Sequence, residues 1–219
     1  MKRGYTHISV VLDRSGSMAS CLDDTIGGFN SFLGSQRELD GEATLSLIQF
    51  DDQYEILEDM KAIGDCKDIT VETYVPRGMT ALLDAIGRTI NNTEAQLDNK
   101  DEDEKPEKVI FVIITDGAEN HSTEFNHEQI MKMINRHRED NKWEFVFIGA
   151  NQDAISVGGG MGVRAANSLT YDQSQQGTTH MYMSLTRGMN NYRSKSVKDL
   201  EVDSDFFNQE DRDVQDVDA

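Results

Sequence analysis

Two stretches of this 219-residue chain set oxygen-bearing side chains just where an apolar run stops. In VVLDRSGSMAS the run ends at Asp13, and hydroxyls follow at Ser15 and Ser17 in a D-x-S-x-S pattern. In VIFVIITDGAEN a fully apolar run ends at Asp116 and passes at once to Gly117. Serine hydroxyls are neutral, compact oxygen donors, and two of them spaced two residues apart on a tight loop reach one cation from adjacent directions. An all-oxygen shell of few atoms with room for water suits Mg²⁺ or Mn²⁺, whereas Ca²⁺ usually takes more ligands at longer distance. Neither cysteine nor histidine is required.

For Asp13 and Asp116 to meet, their strands must end on the same side of one sheet. The pattern predicts a strand over Tyr5–Asp13, then a helix in which Leu22, Ile26, Phe29 and Leu33 recur at helical spacing until Gly34. Ala43–Phe50 and Tyr54–Met60 read as two β runs joined around Asp51 and Asp52, a hairpin at one sheet edge. Thr80–Ile90 follows as a helix that buries Leu82, Leu83, Ile86 and Ile90. LDNKDEDEKPEK is a solvated charged connector that Pro106 closes before the next strand. Asn126 and Gln129 form a capping box for a helix through Ile130, Met133 and Ile134, and Trp143–Gly149 is another buried strand. NQDAISVGGGMG reads as a short helix that breaks down in glycines, and a helix beyond Ser174 runs through Met181, Leu185 and Met189. Strands alternating with amphipathic helices predict an α/β fold: a doubly wound, mostly parallel, Rossmann-like central sheet with one antiparallel edge strand and helices on both faces. In such sheets the loops at the carboxyl ends of the strands form the ligand crevice, which brings Asp13 and Asp116 together.

Composition narrows the function. At 37 % hydrophobic, the chain can bury one sizeable core but hardly two. A net charge of -19 without a basic patch argues against nucleic-acid and membrane partners. The first apolar stretch is too short, and too interrupted by His7 and Ser9, for a signal peptide, and no run approaches a membrane span. Cys21 and Cys66 lie in unlike contexts and make no disulfide framework, so a soluble, cytoplasmic protein is expected.

Asp13, Ser15 and Ser17 in D-x-S-x-S, Thr80 in RGMTALLDAI and Asp116 in ITDGAEN together resemble the von Willebrand factor type A (vWA) family, over roughly residues 5–171. The resemblance implies that these five positions form a metal-ion-dependent adhesion site, or MIDAS. It implies Mg²⁺ (or Mn²⁺, less readily Ca²⁺) as the cofactor, and a partner protein whose Asp or Glu completes the coordination. It also implies a binding or assembly module of the intracellular bacterial or phage type rather than an enzyme, with FIGANQDA as the last core strand. Met79 departs from the small residue that many relatives carry there. Arg14, Gly78, Met79, Gly117, Glu119, Asn120 and His121 flank the five and are expected to select the partner, Arg14 by attracting an acidic group. The chain divides into a vWA domain over 1–172, a helical extension over 173–198 and an acidic tail over 199–219. In the tail, nine acids face the single base Arg212, a composition that favours disorder.

Other readings explain less. Ser15 or Ser17 capping a helix near Met18 leaves Thr80 and Asp116 unaccounted for. A Mg²⁺-dependent phosphoester hydrolase wants a second carboxylate two residues after Asp13, where this chain has Ser15. A structural protein with a vestigial site would capture partners without metal. Asp51 and Asp52 are turn formers by position. GGGMG follows a helix instead of linking strand to helix, so it is no phosphate cradle. His121 and His127 with Glu124 and Glu128 lack an orderly zinc spacing. Asp199, Glu201, Asp203 and Asp205 imitate a calcium loop but have Ser204 where glycine is needed.

Overall fold

Side-chain alternation along the strands demands a sheet covered on both faces, and the computed structural model, which describes residues 1–150, 153–202 and 205–213, has that architecture. In β1 (Lys2–Asp13), Ile8, Val10 and Leu12 enter one apolar cluster while Val11 enters the other. With β2 (Glu42–Phe50) and β3 (Tyr54–Ala62) forming a hairpin, β4 (Pro106–Thr115) repeats the alternation, Ile110, Val112 and Ile114 opposing Val109, Phe111 and Ile113. β5 (Glu144–Ala150) opposes Val146 and Ile148 to Phe145 and Phe147, and β6 (Ser168–Tyr171) completes the set. The sheet order is β3-β2-β1-β4-β5-β6. Only β3 runs antiparallel, at one edge.

The helices are α1 (Leu22–Glu38), α2 (Leu82–Asp98), α3 (His127–Asp140), α4 (Ala154–Gly160), α5 (Gln175–Ser194) and the short α6 (Val197–Val202) and α7 (Gln209–Asp213). α1 and α5 cover one face through Phe29, Phe32, Leu33, Met181, Leu185 and Met189. α2, α3 and α4 cover the other through Leu83, Ile86, Ile90, Ile130, Ile134 and Ala154. Local signals start two of them: Asn126 and Gln129 make the reciprocal capping box of α3, and the Ser174 hydroxyl accepts the Gly177 N–H at the start of α5.

Several expectations are corrected. α1 continues past Gly34 to Glu38, and the glycines of 158–160 lie within α4. α2 begins at Leu82, so Thr80 stands in the loop before it: the N–H groups of Thr80 and Ala81 are held by Asn120 and by the Asp51 carbonyl, which leaves both outside the helix. β5 is not the last strand, because β6 pairs with it in parallel. Residues 151 and 152 of FIGANQDA lie outside the described residues.

Nor does the chain after residue 172 behave as an appendage. α5 supplies a large part of one core cluster, and its Arg193 and Asn190 bond to Gln36 of α1. Acidity predicts disorder from residue 199, yet Phe206 and Phe207 are buried, because two adjacent aromatic rings outweigh their charged neighbours once α5 and the β6 region offer an apolar surface. Arg187 of α5 pairs with Asp211. The calcium-loop pattern does not assemble around Asp199, whose carboxylate accepts the Ser196 N–H and hydroxyl; Asp203, Ser204, Asp216 and Asp218 lie outside the described residues.

Candidate metal centre

β1 lies at the point where the winding reverses, with β2 on one side and β4 on the other. Loops leaving the carboxyl ends of β1 and β4 therefore diverge and open a crevice between them. Asp13, the last residue of β1, is fully buried there. Its Oδ1 accepts the Ser15 N–H at 2.6 Å, and its Oδ2 accepts the Thr115 hydroxyl at 2.5 Å from the end of β4. Tyr74 donates its hydroxyl to the Asp13 carbonyl at 2.6 Å.

A 3₁₀ turn, Gly16–Cys21, follows, and Ser15 occupies its N-cap position without making a side-chain cap bond. The capping reading of these serines therefore fails, and their hydroxyls face the crevice chemistry instead. Ser15 Oγ is 3.1 Å from Ser17 Oγ, and Ser17 donates to Asp116 Oδ1 at 2.7 Å. The other Asp116 oxygen accepts the Gln173 side-chain amide at 2.5 Å, from the segment that leads into α5.

Thr80 arrives on a third loop, laced to the first by Gly16 N–H to the Gly78 carbonyl (3.3 Å) and Arg77 N–H to the Arg14 carbonyl (2.8 Å). It is laced to the loop after β4 by two bonds with Asn120, Thr80 N–H to Oδ1 at 2.9 Å and Asn120 N–H to the Thr80 carbonyl at 3.1 Å. Thr80 is buried, and its hydroxyl lies so near Gly117 that a Cβ there would stand 2.8 Å from Oγ1. Gly78 has φ +69°, and a side chain on it would run into the Asp52 carboxylate. Three separate loops thus bring Asp13, Ser15, Ser17, Thr80 and Asp116 to one place.

Both carboxylates sit among neutral partners. Burial, with the charge of Asp116 adding, pushes Asp13 up to about 6 against the bonds from Thr115 and Ser15. Burial likewise raises Asp116 against the bonds from Ser17 and Gln173. Two carboxylates whose burial disfavours an uncompensated charge, among three hydroxyls and with a glycine leaving space beside Thr80, fit a hard divalent cation.

The flanking residues divide. Met79 is exposed, as are Gly78, Asn120 and His121, and Gly117 is half-buried. Arg14 differs from expectation: it is buried, and its guanidinium pairs with Asp51 and Glu55 inside the chain, which leaves it engaged internally rather than offered to an acidic partner. Glu119 also looks inward. Burial works to raise its carboxyl, but N–H groups of Ser122, Leu83 and His121 and the Ser122 hydroxyl outweigh that and hold it below its ordinary value. It thereby caps the first turn of α2. Sequence reasoning missed Thr115, Tyr74 and Gln173; only Thr115, next to Asp116 at a strand end, carried any signal. His121, His127, Glu124 and Glu128 do not converge, since no group of three or more Cys, His, Asp or Glu able to hold a metal forms among the described residues.

No protein-family model matches the chain, and no curated protein does. Solved structures do. Proximal thread matrix protein 1 from the mussel byssus aligns with 85% of this chain at 17% identity and a TM-score of 0.59. A further structure of that mussel protein has a zinc-occupied MIDAS motif. The vWF domain of the type V pili tip protein Mfa5 from Porphyromonas gingivalis aligns with 88% at 10% identity and a TM-score of 0.59, and this chain covers 97% of it. A von Willebrand factor type A protein from Catenulispora acidiphila aligns with 83% at 12% identity and a TM-score of 0.55. The chain spans 46% of the mussel chain and 42% of the Catenulispora one. The fold is that of vWA domains, with the sheet order and edge strand described above.

Proposed function

We propose that the chain is a metal-dependent protein-binding or assembly module whose partner presents an Asp or Glu to a divalent cation, Mg²⁺ or Mn²⁺, held by Asp13, Ser15, Ser17, Thr80 and Asp116. The observation that carries this reading is the convergence of three loops on one set of oxygens, with Ser15, Ser17 and Asp116 already in a hydrogen-bonded line. The zinc-occupied MIDAS of the mussel protein, on the same fold, supports it. A cation held largely by neutral hydroxyls keeps much of its charge and attracts an outside carboxylate. The chain's own residues supply the rest. Asp13 and Asp116 hold the serine loop against the end of β4, Gly117 leaves room beside the Thr80 hydroxyl, and exposed Met79 and His121 border the opening. Cys21 and Cys66 are free and buried, which agrees with a reducing, cytoplasmic setting.

The test is calorimetric titration of metal-stripped protein with Mg²⁺, Mn²⁺ and Ca²⁺, comparing the natural chain with a Ser15→Ala, Ser17→Ala double variant. Saturable binding lost in the variant supports the reading. Equal binding in both chains, or none in either, refutes it.

A further inference from the structure

Asp51 belongs to the turn between β2 and β3, yet its carboxylate is wholly buried and grips the loops that carry the site's hydroxyls. Oδ2 lies 2.8 Å from Arg77 Nε and 3.2 Å from Arg14 Nε, while Oδ1 accepts the Gln53 N–H at 2.6 Å. Arg14 stands between Asp13 and Ser15, and Arg77 lies three residues before Thr80. Backbone bonds follow the same route: Arg14 N–H to the Phe50 carbonyl at 2.8 Å, and Ala81 N–H to the Asp51 carbonyl at 3.0 Å. Arg14 also reaches Gln49 at 3.3 Å and Glu55 at 2.5 Å.

A turn-forming aspartate needs neither burial nor two guanidinium partners. Burying such a charge group costs desolvation and yields little net stability, so stability alone does not account for it. We propose that Asp51, acting through Arg14 and Arg77, is a positioning residue that fixes the spacing between the Ser15 and Ser17 loop and Thr80, and thereby sets the affinity and ion preference of the site. The inference rests on the metal-binding reading above. Mg²⁺ demands near-ideal octahedral geometry whereas Ca²⁺ accepts irregular, flexible shells. Loosening one loop against the other therefore penalises Mg²⁺ more than Ca²⁺.

The experiment titrates the metal-free full chain with Mg²⁺, Mn²⁺ and Ca²⁺ in four forms: natural, Asp51→Asn, Arg77→Gln and Arg88→Gln. Arg77 is half-exposed, and its replacement leaves the buried Arg14–Asp51 pair in place, so this variant separates positioning from loss of fold. Mg²⁺ and Mn²⁺ affinity should fall about tenfold in Asp51→Asn and Arg77→Gln, at the low end of what losing a direct hydrogen-bond partner of a metal ligand costs, because both act one step further out, through the loops. Ca²⁺ affinity should fall less, with metal-free Arg77→Gln melting close to the natural chain. Arg88→Gln, which removes a surface pair with Glu124, should bind as the natural chain does. Natural Mg²⁺ affinity in Arg77→Gln, or an equal loss for all three ions, overturns the proposal. Failure of the natural chain to bind any of the ions instead overturns the metal-binding reading, and this inference with it.

Discussion

Burying an ionisable carboxylate among neutral partners weakens a fold, and Asp13 is the residue where that happens most plainly. Its ordinary value of 3.8 rises to about 6, so between those pH values the folded chain binds more protons than the unfolded one. Stability present in full below 3.8 is therefore lost as pH rises through 6. A shift of this size corresponds to about 3 kcal/mol. Asp13→Asn should stabilise the metal-stripped protein at pH 7.5 by about 2–3 kcal/mol, leave it nearly unchanged at pH 4, and abolish saturable Mg²⁺ binding; urea unfolding at the two pH values and a titration check all three. His7 works in the opposite sense. It is buried with its ring nitrogens on Thr44 and Ser9, and burial, helped by Lys100, pushes it down to about 3. A depressed folded value gives stability that is present above 6.5 and lost as pH falls toward 3. In the Asp13→Asn background, adding His7→Gln should therefore remove part of the stability lost on acidification below pH 6.5, and identical pH dependence of urea unfolding with and without that change would contradict the buried neutral His7.

Among the elements, the joint between α1 and α5 sets how the C-terminal part attaches. The Tyr182 ring of α5 packs directly on the Gly28 backbone of α1, so a Cβ at Gly28 would overlap a ring that is itself buried. Gly27, one residue earlier, faces open space. Helix propensity alone favours alanine over glycine by about 1 kcal/mol at either position. We expect Gly27→Ala to stabilise by up to about 1 kcal/mol, and Gly28→Ala to destabilise by about 1–3 kcal/mol through overpacking. Urea midpoints of the two variants moving the same way would disprove the contact.

At the scale of the whole molecule, one sheet carries two cores, and the one under α1 and α5 is completed by the chain after β6. Phe207 is fully buried in the cluster that also holds Leu185 and Met189. Phe207→Ala should cost about 3–5 kcal/mol in urea unfolding, a magnitude that a disordered tail could not produce. The strands β1 to β5, their alternation and the edge hairpin were legible in the sequence because apolar periodicity is local, whereas the four-residue β6 is too short to show a period. D-x-S-x-S and the aspartate closing the apolar run before Gly117 were legible for the same reason, since each is a strand end followed by a loop. The start of α2 was not, because Thr80 and Ala81 spend their N–H groups on Asn120 and Asp51, residues far along the chain.

The sequence by itself determined the class of fold and the residue types of a candidate cation site, since patterns of period two and period 3.6 and short loop motifs are properties of neighbouring residues. Only the tertiary structure decided that Arg14 turns inward to Asp51, that Gln173 reaches Asp116, and that Phe206 and Phe207 join the core. Each of those outcomes depends on which groups, distant in sequence, offer a buried polar atom an opposite charge or hydrogen bond, or offer an apolar ring a surface away from water.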